Sequence, residues 1–391
     1  MAPAPRWEAR WTRAQTQTNG VRIPARGGHS CVSADMQLVV FGGHYYEGAH
    51  KFEYLNDVWL VDAEKLSWQP VQCSGTPPEP RYSHCCQLVG SRMFVIGGKG
   101  RGSKLFRDVW FLDLLSWTWY PVHPTTIGPT ARFGHASTLV GRKIVVHGGW
   151  NGSDTCYGDL WVFNTESFSW LQPKTGGIAP CARFGHQLVL VPDGRLLCFG
   201  GASTSAQQPV PEYQSDLRQL DTETMAWSKP RTQGLVPAGR YGHTLTLLQH
   251  QQGEEGGQGQ DGGSSNKGGG GVSLVLYGGW GMGGLQAASV KGGTAKKSSV
   301  AVMDVAEEPQ LVDVEVPATV GGEVVSRHGH TCCVVGSTVF VFGGWDAQQA
   351  LSDLLMVQAD HTRSEHARFV RKSSTTRSAD IVQYMCACLL K

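Results

Sequence analysis

Six times along these 391 residues an arginine is followed three positions later by a histidine: Arg26/His29, Arg81/His84, Arg132/His135, Arg183/His186, Arg240/His243 and Arg327/His330. In five copies a glycine pair begins thirteen or fourteen residues past the histidine, at Gly42-Gly43, Gly97-Gly98, Gly148-Gly149, Gly200-Gly201 and Gly343-Gly344. The fifth copy reaches Gly278-Gly279 only after 35 residues. Successive arginines lie 55, 51, 51, 57 and 87 residues apart. A period of about fifty residues corresponds to one four-stranded propeller blade per repeat, so the copies must stack into a ring to bury a common core.

Within each unit, runs such as Gln37-Leu38-Val39-Val40-Phe41 and Arg142-Lys143-Ile144-Val145-Val146 have strand character and lead into the glycines, which are expected to end the strand. A third strand opens at Asp57-Val58-Trp59, Asp108-Val109-Trp110 and Asp159-Leu160-Trp161. Five residues after its aspartate column comes a turn former, Asp62, Asp113, Asn164 or Asp221, and six residues further stands Trp68, Trp119, Trp170 or Trp227. From each of these tryptophans to the next arginine is thirteen residues, so four units keep one register.

These columns resemble the Kelch repeat family, whose motif is a glycine pair followed by a spaced aromatic and a tryptophan, and the resemblance covers roughly residues 7 to 358. It implies an all-β chain: a six-bladed β-propeller of four-stranded antiparallel blades that serves as a protein-binding platform. Blade four departs from the pattern with Arg218 in the third-strand tryptophan column. Blade five departs further, with Ser299-Val300-Ala301 opening its third strand and Gln310 where the outer tryptophan is expected.

The sixth copy lacks an outer tryptophan after Asp353-Leu354-Leu355, whereas Trp11 stands fifteen residues before Arg26. Residues near Trp7 to Thr16 are therefore expected to supply the outer strand of blade six, pairing the two ends and removing an open sheet edge. Residues 1–360 form the propeller on this reading, with disordered insertions in blade five at about 249–271 and 281–299, where glycine-rich low-complexity sequence cannot offset its ordering entropy. Residues 361–391 read as a flexible basic tail.

Six of the 34 Lys and Arg residues and two of the 32 Asp and Glu residues fall in that tail, leaving the first 360 residues with 28 basic against 30 acidic groups. A nearly neutral ring lacks the basic stripe that phosphate contacts need, which argues against nucleic acid as partner. No apolar run is long enough to span a bilayer, and Met1-Ala2-Pro3-Ala4-Pro5-Arg6 lacks a secretory core, so an intracellular site, cytoplasmic or nuclear, is expected. The eleven cysteines are odd in number and show no Cys-x-x-Cys spacing; Cys31, Cys86 and Cys332 share one column and read as small apolar wall residues.

Chemistry finds little support in the motifs. Gly98-Lys99-Gly100-Arg101-Gly102 follows a strand, but a phosphate loop needs a helix next and a strand is expected there. The six repeat histidines are too far apart around a ring to share an ion and read as structural. The nitrile-specifier proteins, which resemble this propeller, use a Glu-x3-Asp-x3-His iron motif; Glu212 and Asp216 fit its start, but position 220 is leucine. Neither a catalytic set nor a cofactor or metal is expected, although an enzyme or metal-dependent specifier on the same fold stays open as the alternative.

The expected function is a non-catalytic scaffold, a monomeric propeller that binds another protein or peptide through one rim. The loops after the glycine pairs supply its candidate residues: His44, Tyr45, Tyr46 and Tyr54 in blade one, and Lys99, Arg101, Lys104 and Arg107 in blade two. Trp150 and Asn151 follow in blade three, Trp280 in blade five, and Trp345 and Asp346 in blade six. Because Trp150, Trp280 and Trp345 all directly follow a glycine pair, capping of the packing between blades is an equal reading for them.

Overall fold

The computed structural model describes residues 6–14, 22–47, 51–234, 236–249, 272–282, 284–285, 300–304, 310–313 and 326–362. Six sheets of four or more strands succeed one another along the chain. Their innermost strands, Ser30–Ala34, Cys85–Val89, Ala136–Val140, Gln187–Leu190, Thr244–Gln249 and Thr331–Val335, touch in a closed circuit, the last against the first. Each blade then proceeds outward through antiparallel partners, as in Ser30–Ala34, Gln37–Tyr46, Phe52–Asp62 and Ser67–Val71 of blade one. Blades four and five each gain a two-residue parallel strand at the outer edge, Gly176–Gly177 and Gln233–Gly234.

The N-terminal strand closes the last blade. Arg6–Arg13 pairs antiparallel with Leu354–Thr362, and Trp11 stands opposite Val357 as Trp68 stands opposite Val61. The tail from 363 onward and most of the two blade-five insertions lie outside the described residues. At the edge of the second insertion, however, Trp280–Gly281 pairs with Arg240–Tyr241 and with Gly284–Leu285, so the expected disorder does not begin at 281.

Two hydrogen-bonded circuits stitch the blades together. The residue two past each repeat arginine donates its N–H to the equivalent carbonyl of the preceding blade: Gly28 to Gly329, Ser83 to Gly28, Gly134 to Ser83, Gly185 to Gly134, Gly242 to Gly185 and Gly329 to Gly242, all at 2.6–2.8 Å. Every member has positive φ, which explains glycine in five of the six; Ser83, at φ 50°, holds the same conformation with a side chain. In the second circuit the N–H of the second glycine of each pair donates to the next blade's arginine carbonyl, from Gly43 to Arg81 through Gly344 to Arg26. The expectation that the pair ends its strand is correct for blades three to six. In blades one and two it is instead a bulge, and pairing resumes at Gly43/Leu55 and Gly98/Phe106.

The repeat arginine and histidine are buried parts of this frame. Each arginine donates Nη1 to the carbonyl of its blade's first glycine at 2.9–3.0 Å. In five blades it also forms a two-pronged ion pair with the third-strand aspartate: Arg26/Asp57, Arg81/Asp108, Arg132/Asp159, Arg183/Asp216 and Arg327/Asp353. Burial opposes the charge on Asp159, Asp216 and Asp353, but the guanidinium bonds outweigh it and hold these carboxyls below the usual range. In blade five this aspartate column is occupied by Ser299, outside the described residues. The third-strand tryptophan donates its indole N–H to the same carboxylate in blades one to three, and Arg218 takes over that role in blade four with Nε 2.9 Å from Asp216.

Histidine Nε2 reaches back to the neighbouring blade: His84 to Ser30, His330 to Thr244 and His29 to Thr331, at 2.8–2.9 Å. His135 finds the carbonyl of Ile96 instead.

Candidate functional site on the axial face

Residues one past the repeat arginine and one past the glycine pair are bridged in every blade: Gly27/His44, Tyr82/Lys99, Phe133/Trp150, Phe184/Ala202, Tyr241/Trp280 and His328/Trp345. The loop after the glycine pair and the segment following the repeat arginine therefore meet on one face of the ring. The paired residues are largely aromatic, and their rings follow one another across the blades. From Trp345 the succession runs to His44 (5.2 Å between centroids), Tyr82 (4.1 Å), Phe133 (6.0 Å), Trp150 (5.4 Å), Phe184 (5.0 Å), Tyr241 (5.8 Å), His328 (6.0 Å) and Trp280 (5.4 Å). In a hexagon the side equals the radius, so members spaced this closely around six blades lie near the axis. They form an aromatic floor, with Phe133 and Phe184 buried and the other rings half-buried.

Electrostatics keep this floor neutral. Burial pulls His44 and His328 each down to about 4, and pushes the Tyr82 phenol up to about 12. Lys99 Nζ sits 5.0 Å over the Phe133 ring, a cation–π contact.

The thirteen residues singled out from sequence separate into groups. His44, Trp150, Trp280 and Trp345 belong to the floor, and Tyr54 stacks on His44 at 6.0 Å. These tryptophans also pack between blades: a Cβ on Gly27 would collide with Trp345, so the glycine exists to admit that indole. Tyr46, exposed, reaches the floor through Phe52, whereas the half-buried Tyr45 falls on the alternate face of the strand. Lys99, Arg101, Lys104 and Arg107 form a basic sector, with Arg101 3.3 Å from Glu53 and Lys104 2.7 Å from Glu79. Asn151 and Asp346 instead cap their own turns, accepting N–H bonds from Ser153 and Thr155 and from Gln348 and Gln349. The column one past the arginine, with Tyr82, Phe133, Phe184, Tyr241 and His328, went unnoticed in the sequence. Its signal was there, since the residue between Arg and Gly or Ser is a ring in five of six copies.

Elsewhere, the Gly98–Ser103 segment leads through one turn of 3-10 helix, Arg101–Ser103, into the strand Leu105–Asp113. Asp216 of the iron-like spacing is held by Arg183 and Arg218. Among the described residues one group could supply three metal-ligand atoms: His147, His186 and Cys198, fully enclosed between blades three and four. His147 stands in a column filled elsewhere by Phe41, Ile96, Phe199, Tyr277 and Phe342. Its Nδ1 lies 3.0 Å from Nε2 of His186, whose usual partner position, after His135, is Ala136. Burial pushes the Cys198 thiol up to about 12 and holds His147 down at about 4, so thiol and imidazole are neutral at pH 7.

A ring of six four-stranded blades with an aromatic axial face defines a repeat propeller. Residues 8–87 and 28–257 match the model of the KLHDC2/KLHL20/DRC7 Kelch-repeats domain, and residues 326–356 match the Kelch motif. The chain belongs to the Kelch repeat family. It is similar to host cell factor of Drosophila melanogaster, 30% identical over 63% of this chain and 17% of that protein. It is also similar to acyl-CoA-binding domain-containing protein 4 of Arabidopsis thaliana, 26% identical over 62% of this chain and 36% of the relative. Kelch domain-containing protein 3 of Homo sapiens is 28% identical over 52% of this chain and 56% of its own length. The chain thus spans less than two thirds of each of these relatives. Among the described residues no helix is long and apolar enough to cross a membrane.

Proposed function

We propose that the axial face is a docking platform for a segment of another protein, and that the chain acts as a non-catalytic scaffold. The observation that carries this reading is the run of nine neutral, half-buried or buried rings from Trp345 to Trp280, flanked by the basic sector of blade two. Aromatic and arginine side chains are the types that dominate interface energetics. A neutral floor beside Lys99 and Arg101 suits a peptide that inserts apolar side chains and carries an acidic residue alongside. Family membership favours the same reading, since Kelch propellers commonly serve as protein-interaction domains. Catalysis is disfavoured because the floor imidazoles titrate far from the pH at which a general acid or base works best. The odd cysteine count supports an intracellular setting, cytoplasmic or nuclear, and the ring closed by its own N-terminal strand is self-sufficient as a monomer.

The test is quantitative capture from cell extract with the wild type beside a Tyr82→Ala, Arg101→Ala double variant and a Tyr45→Ala, Arg101→Ala double variant, each checked for an unchanged melting temperature. Loss of about 2 kcal/mol, roughly thirtyfold in affinity, is expected for partners held at this face. Equal yields of the same partners would sink the assignment. Turnover, or stoichiometric metal in the purified protein, would favour the enzyme or specifier alternative.

A further inference from the structure

Four seams between blades share one construction. The residue before the glycine pair, the residue after the repeat aspartate, and two residues from the next blade's inner strands form a wedge, apolar but for Ser137 and His147, which a tryptophan from the next blade's outer strand fills. Between blades one and two the wedge is Phe41, Val58, Cys86 and Val95 around Trp119. Trp68, Trp170 and Trp227 occupy the equivalent clusters at three other seams.

Between blades four and five the same four columns hold Phe199, Leu217, Leu245 and Leu276. The sequence pattern put Gln310 in the tryptophan column, and the register corrects this. Asp304 pairs with Gln310 and Met303 with Leu311, whereas in blade one Asp62 pairs with Ser67 and Val61 with Trp68. The blade-five turn is one residue longer, so Leu311 rather than Gln310 stands at the tryptophan's register position. A cavity of about 300 Å³ opens at this seam, walled by those four residues and the buried Pro230, with the exposed Lys229 and Val236 also on its lining. Asp216 on its wall is already bonded to Arg183 and Arg218, so it leaves no unpaired acid there.

We propose that this cavity binds a small, uncharged planar aromatic molecule of indole size, seated where tryptophan stands in the four regular seams. Its walls are the columns that pack against an indole elsewhere in the same ring. An apolar cavity of roughly 150 Å³ already suffices to take up benzene. The larger space here accommodates a bicyclic ring, and the exposed Val236 marks a route in from solvent.

The test uses indole as probe with the full chain, read by ligand-observed NMR and by the melting temperature. Saturable binding at one site is expected, with a melting temperature that climbs with indole concentration as binding to the folded state alone requires. Leu217→Phe and Leu245→Phe add bulk from the blade-four and blade-five walls of the cavity, so each should weaken indole binding at least tenfold. If one does not fold, the other carries the comparison. Absence of saturable binding to the wild type would overturn the proposal, as would undiminished binding in the folded filled variants, because indole would then be sitting elsewhere.

Discussion

The seam between blades one and two and the seam between blades four and five are cut from the same columns but finished differently. In the first, Trp119 fills the wedge against Phe41 at 4.9 Å and Asp108 anchors the buried Arg81. In the second, Leu311 holds the tryptophan column, Ser299 replaces the anchoring aspartate of blade five, and a cavity opens against Phe199. Both seams keep the backbone circuit, Ser83 to Gly28 at the first and Gly242 to Gly185 at the second, through backbone alone. The contrast teaches that backbone stitching closes the ring, while side chains decide how solid each seam is. A repeat can lose its side-chain filling without losing its place in the circle.

Four perturbations probe that division of labour, beginning with the largest. Acid should unfold the whole ring through the buried histidines. Their folded pKa values lie below 6.5, at about 3 for His135 and His243 and about 4 for His44 and His328. The unfolded chain therefore binds more protons in this window, so stability is intact above pH 6.5 and is lost as the pH falls towards 4. A melting temperature flat from pH 7 to 4.5 would contradict neutral burial. Next, Asp108→Ala leaves the Arg81 charge without its carboxylate. A loss of about 3 kcal/mol is expected in chemical denaturation, at the low end for a broken buried pair because Asp108 keeps some water contact.

Trp119→Leu would copy the blade-five seam into blade two. It should cost about 2–4 kcal/mol as a cavity-forming change and raise the indole stoichiometry from one to two. The smallest effect belongs to the third seam. His147→Phe restores the ring common in its column but removes the Nε2 partner of His186, for a cost of about 1–3 kcal/mol. Adding Ala136→Ser supplies the hydroxyl that Ser30 offers His84, and should recover most of the loss. Failure to recover would assign His147 a role outside packing.

Much of the fold was legible from spacing. Recurrence of Arg, His and the glycine pair counted the blades, and Trp11 before Arg26 pointed to the strand that closes blade six. Turn length was harder to read. Counting six from Asp304 reached Gln310, and only the pairing of Met303 with Leu311 revealed the extra residue. The candidate site was half legible. Loops after the glycine pairs announced His44, Trp150, Trp280 and Trp345 by their aromatic character, whereas Tyr82, Phe133, Phe184 and Tyr241 hid inside a motif that read as structural. His147 hid likewise, since a histidine in a strand carries no mark of the phenylalanine column it occupies until neighbouring blades are superposed.

Periodicity alone established the architecture of this chain, because strand alternation, glycine at positive φ and buried Arg/Asp pairing are local demands repeated at fixed intervals. Which residues gather at the axis, and which wedge is left unfilled, depended on contacts between blades. Those contacts join residues at separations as different as 39 positions, in His147 to His186, and 302, in His29 to Thr331, and spacing along one chain does not encode distance across a closed ring.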